Sequence, residues 1–93
     1  MNIGVCQIEI HLPGAASLKE KRSILKSMLA RIHNTFNVSA AETDHHELWQ
    51  SAEIAIAVVS NSNVHNHKVL TSILEWIEAH YDVLITHHEI EAL

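Results

Sequence analysis

Leu-Pro-Gly-Ala-Ala-Ser-Leu-Lys-Glu-Lys-Arg-Ser (12–23) is the stretch that decides how this chain folds. Pro13-Gly14 is a turn dipeptide and ends the segment before it. Ser17 with Glu20 three residues later reads as a capping box, so a helix starts immediately afterwards. Downstream, Leu18, Leu25, Leu29, Ile32 and Phe36 recur at helical spacing, with Met28 at the edge of the stripe. The reading is a strand, a tight turn and an amphipathic helix reaching about Phe36, with that stripe in the core.

The same helix carries most of the positive charge. The chain has six Lys and Arg, and Lys19, Lys21, Arg22, Lys26 and Arg31 all fall here. At about 100° per residue, Lys19, Arg22, Lys26 and His33 share a stripe beside the apolar face. Lys21 lies nearer the core edge and must snorkel. Cations in the first helical turns oppose the helix dipole, at a cost on the order of a few tenths of a kcal/mol each. A local rule broken without evident compensation points to function. Lys19, Lys21, Arg22 and Lys26, beside the free N–H groups of a helix start, form a candidate site for RNA phosphate or another anion. His33 would join them on the acid side of its titration. The alternative is a solvated face that keeps the helix soluble.

Outward from the helix, residues 2–12 alternate. Cys6, Ile8, Ile10 and Leu12 take one face, and Val5, Gln7, Glu9 and His11 the other, as in a half-buried strand. Asn37–Thr43 reads as a second strand, 44–47 as a polar turn and Leu48–Ser60 as a long third strand. Asn61-Ser62-Asn63 is a cap-type cluster. Val64–His80 is a second helix with Leu70, Ile73, Leu74 and Ile77 inward, and Val83–Glu91 is a fourth strand. No linker or repeat interrupts 1–93, so one domain is expected. The order β-α-β-β-α-β predicts a ferredoxin-like α+β fold: a four-stranded antiparallel sheet with two helices on one face. Right-handed crossovers place the first and third strands in its centre.

The opposite sheet face is then uncovered. With Ile54, Ile56 and Val58 turned to the helices, it carries Val5, Ala55, Ala57 and Val59, joined by Ile3, Ser39 and Ala41. These are small and apolar for a solvated surface, and they form a candidate interface for a homodimer.

Composition bounds the function. Hydrophobic content is 47% with 18% charged residues, as in a globular chain. The net charge of −5 argues against a general nucleic-acid coat and leaves room for a localised basic face. One cysteine excludes an internal disulfide and fits a reducing cytoplasm. No segment reads as a leader, and Ile54–Val59 is too short to span a membrane.

Several blocks resemble the YlxP-like family of small bacterial domains. They are Leu-Pro-Gly-Ala-Ala-Ser-Leu-Lys-Glu-Lys-Arg (12–22), Phe-Asn-Val-Ser (36–39), Ala-Glu (41–42), Leu-Trp-Gln (48–50) and Val-Val-Ser-Asn (58–61). The resemblance implies a ferredoxin-like fold, in agreement with the pattern. Family members are encoded near translation-initiation and ribosome-maturation factors, so it also implies a role close to RNA or the ribosome. It carries over no catalytic residue and no cofactor. Glu47 stands where the family pattern has Asp, and the abundance of histidine is particular to this chain.

Nine histidines invite a metal reading, but their spacing does not favour one. His45-His46 and His87-His88 are neighbours, which diverge on a strand. His65 and His67 lie about 200° apart on a helix. No His-x-x-x-His helix and no Cys-x-x-Cys is present, so no metal and no cofactor are expected. Solvated histidines are the reading. Cys6, on the core side, reads as an inert buried thiol. Glu9, Glu42, Glu89 and Glu91 read as solvated charges sharing a sheet face. Trp49 is expected to cover the core edge beneath the turn, the alternative being contact with a partner at the start of the third strand. The first and third strands lack the aromatic pair on which RNA-binding sheets of this topology stack bases, so an RNA contact should come from the helix. With no catalytic constellation, the expectation is a non-enzymatic binding module, RNA- or ribosome-associated through its first helix. The alternative is a homodimeric interaction protein using the open sheet face.

Overall fold

Extended and helical segments follow the periodicities of the sequence. The computed structural model describes residues 1–93. In chain order the elements are β1 (Asn2–His11), α1 (Leu18–Thr35), β2 (Ser39–Asp44), β3 (Ser51–Ser60), α2 (Asn63–His80) and β4 (Leu84–Ala92). The strands form one antiparallel sheet in the order β2-β3-β1-β4, with β1 and β3 central. Both helices lie on one face, giving the ferredoxin-like α+β sandwich.

Alternation in the central strands sets the two faces. Cys6, Ile8 and Ile10 of β1 and Ala52, Ile54, Ile56 and Val58 of β3 are buried under the helices. Leu70, Ile73, Leu74 and Ile77 of α2 meet them there. Gly4 lets α2 approach β1 closely, since a Cβ at this position would stand 3.0 Å from the Asn66 Cβ. Asn66 is itself buried, with its amide donating to the Asn2 carbonyl at 3.2 Å and its Oδ1 accepting from Ser60 Oγ at 2.7 Å. No helix is long and apolar enough to cross a membrane.

Two features depart from the expected outline. The buried line of α1 is Lys21, Leu25, Met28 and Ile32, while Leu18, Leu29 and Phe36 are only partly buried. The stripe is rotated because Lys21, a charged residue, occupies the innermost first-turn position. In addition, β3 begins at Ser51, not Leu48. Residues 45–50 instead form an irregular turn closed by the Leu48 N–H donating to the His45 carbonyl at 3.0 Å. The break starts where Asp44 Oδ1 accepts the His45 N–H at 2.7 Å and His45 takes the left-handed conformation, φ 63°. A bulge between Glu42 and Asp44 precedes it.

Candidate functional site

The start of α1 is capped by its own side chains. Ser17 Oγ accepts the Glu20 N–H at 3.1 Å, and Glu20 Oε2 accepts the Ala16 N–H at 2.7 Å. Part of the positive end of the helix dipole is thereby already answered by a carboxylate.

The cations of α1 divide by what they touch. Lys21 is 1% exposed. Its ammonium donates to the His45 carbonyl and lies 3.0 Å from Glu42 Oε2. That oxygen is buried and has no hydrogen bond of good angle, so the contact is an ion pair. Lys21 therefore stands apart from the exposed stripe: it ties α1 to β2 and to the 45–50 turn. Arg31 packs its guanidinium 5.1 Å from the Trp76 ring centre and 5.4 Å from that of Tyr81, and donates to Tyr81 Oη at 3.3 Å. Ser27 Oγ meets the same hydroxyl at 2.9 Å. Arg31 thus joins α1 to the end of α2.

Lys19, Arg22 and Lys26 remain. All three are exposed, and none lies in an ion pair. Their spacing places them on one side of the helix over roughly 10 Å of its length. His33, further along the helix, is held by the sheet. Its Nε2 accepts the Ala40 N–H at 3.2 Å, on the outer strand β2.

The open sheet face has the composition expected of it. Val5 stands opposite Ala57 on one side and Glu91 on the other, while Ala55 stands opposite Gln7 and Ala41. Ser39 pairs with Ala57, and Val59 is 60% exposed. A cleft of about 290 Å³ runs over Val5, Gln7 and Ala55 to Glu89 and Glu91. The face is apolar in the middle and acidic along β4. Trp76 and Tyr81 lie elsewhere, flanking Arg31, and Phe36 packs edge-on against Trp76.

Two sequence expectations are corrected. Glu42 does not share a face with Glu9, Glu89 and Glu91: its register opposite Ile54 turns it to the helices, where Lys21 holds it. Trp49 does not cover the core edge. It is 49% exposed in the irregular turn, because that turn leaves the sheet before reaching β3. Cys6 is buried, and burial pushes its thiol up to about 11. Seven of the histidines are exposed, and His11 and His45 are partly covered. The grouping of His45 with Glu9 and Glu53 escaped sequence reading, because its members lie on β1, the turn and β3 with no local spacing to mark them.

Comparison with known proteins agrees with this architecture. The family model described as a protein of unknown function (DUF503) matches residues 3–90. The chain is 42% identical over 77 residues to the uncharacterized protein YlxP of Bacillus subtilis (strain 168), covering 83% of this chain and 84% of that protein.

Proposed function

From the premise that the chain belongs to the DUF503, YlxP-like family, we propose that it is a cytoplasmic, non-enzymatic binding module that docks on RNA, in a ribosomal particle or free, through Lys19, Arg22 and Lys26. One observation carries this reading: these side chains are exposed and unpaired, while of the neighbouring cations Lys21 is buried in an ion pair and Arg31 is engaged at the surface by Trp76 and Tyr81. The acidic groups Glu9, Glu53, Glu89 and Glu91 lie on the far side of the sheet from α1. Those four carboxylates are thereby kept away from the stripe, which favours its contact with a polyanion despite the net charge of −5. Arg22 supplies bidentate phosphate geometry, and the lysines act as point charges. The test is fluorescence anisotropy of labelled ribosomal RNA fragments with the protein and with the Lys19→Gln, Arg22→Gln, Lys26→Gln triple variant. The variant is expected to lose binding at least tenfold while melting like the parent. Equal retention of RNA by a folded variant overturns the proposal.

A second reading is favoured by the apolar middle of the open face. Val5, Ala55, Ala57 and Val59 would pair two copies of the chain, sheet against sheet. The two readings are compatible, because the basic stripe lies on the helix layer.

A further inference from the structure

Glu9, His45 and Glu53 come together at the end of the open face beside the 45–50 turn. A carboxylate oxygen of each glutamate and a ring nitrogen of His45 lie within 4.8 Å of one another, and all three residues are half-buried. Glu9 and Glu53 are directly opposed in the β1–β3 ladder, an arrangement that repels unless a cation intervenes. No Lys or Arg pairs with either. Thr43 Oγ1 donates to Glu53 Oε1 at 3.1 Å. His45 Nδ1 meets Ser51 Oγ at 3.1 Å, which leaves Nε2 without a hydrogen bond. The His45 carbonyl is anchored from within by the Lys21 ammonium.

We propose that Glu9, His45 and Glu53 bind a divalent transition-metal ion, with Zn²⁺ the best match. Two carboxylates and one imidazole suit a borderline ion, and three protein ligands leave a position for water. A hydroxyl on the second ring nitrogen is the kind of support that fixes a ligating histidine. Donors bonded at about 2.1 Å to a tetrahedral ion stand roughly 3.4 Å apart. Binding would draw the three donors in from their present separations of up to 4.8 Å. The ion replaces carboxylate repulsion by attraction and ties the turn that carries Leu48 and Trp49 to the two central strands.

The full chain, freed of metal by a chelator, is titrated with ZnCl₂ by calorimetry and by thermal unfolding. The expected result is uptake of one ion with a Kd on the order of 10 µM or below, and a melting temperature that rises with ion concentration. His45→Asn keeps a residue that tolerates the left-handed backbone and removes the imidazole. It is expected to weaken binding about tenfold or more. Glu53→Gln is expected to raise the metal-free melting temperature, by relieving repulsion, and to abolish the Zn²⁺-dependent rise. Zn²⁺ affinity and melting shift unchanged in both variants would assign the ion to other histidines and overturn the proposal. Failure of the parent chain to take up Zn²⁺ would overturn it as well.

Discussion

Lys21 shows how one side chain changes the meaning of a motif. In the sequence it is one cation among several at a helix start, while in the fold it is 1% exposed and bonded to Glu42 and the His45 carbonyl. Removing only one member of such a pair strands the other charge. Lys21→Met is therefore expected to lower stability by about 2–4 kcal/mol, read by urea denaturation. Adding Glu42→Leu should recover at least half of that loss, because the orphaned carboxylate is gone. If the double variant is no more stable than the single one, the ion pair is not what Lys21 supplies. Cys6 gives a pH prediction. Its folded thiol is raised from 9.0 to about 11, so between those values the folded state holds a proton that the unfolded state has released. Stability from this group is complete below pH 9 and falls as pH rises toward 11. Stability, read by denaturation across that window, should fall more steeply for the parent than for Cys6→Ala, whose lack of a thiol removes this term. Parallel curves would show that burial does not perturb the thiol.

At the scale of elements, α1 combines two roles that its sequence does not separate. Periodicity marks Leu25 and Ile32 correctly but ranks Leu18 above Lys21 for burial, because hydropathy takes no account of a carboxylate and a carbonyl waiting in the fold. Both caps are legible, since Ser17 and Ser62 accept the N–H three residues on at 3.1 and 3.2 Å. Strand alternation is legible as well, because burial on one face imposes a period of two. The 45–50 turn is not: Leu48, Trp49 and Gln50 look extended, and only the Asp44 side chain and the φ of His45 divert them. Nor is the division among the α1 cations, which depends on where Glu42 and Trp76 arrive from distant segments. Arg31 and the exposed stripe should therefore respond differently. Arg31→Gln is expected to cost about 1 kcal/mol through its contacts with Trp76 and Tyr81, with RNA binding little changed. The Lys19, Arg22 and Lys26 triple Gln variant is expected to melt within about 0.5 kcal/mol of the parent, as exposed substitutions do. The reverse pattern, a structural loss in the triple variant and none for Arg31, would contradict this division.

At the scale of the molecule, the two layers offer different surfaces. The helix layer presents Lys19, Arg22 and Lys26, and the open sheet presents Val5, Ala55, Ala57 and Val59 bordered by Glu89 and Glu91. If two copies pair through the sheet, size exclusion with light scattering should give a dimer at tens of micromolar. Ala57→Glu should shift it to monomer by placing an unpaired charge in the contact. A monomeric parent would remove the dimer reading and leave the helix reading intact. The RNA proposal rests on electrostatic contact by the α1 stripe, and the salt dependence of RNA affinity tests it most directly. With three phosphates neutralised on single-stranded RNA, the slope of log K against log salt should be about −2, and it should approach zero in the triple Gln variant. An affinity insensitive to salt, or the same slope in both proteins, would contradict the assignment of Lys19, Arg22 and Lys26 as the phosphate-binding face.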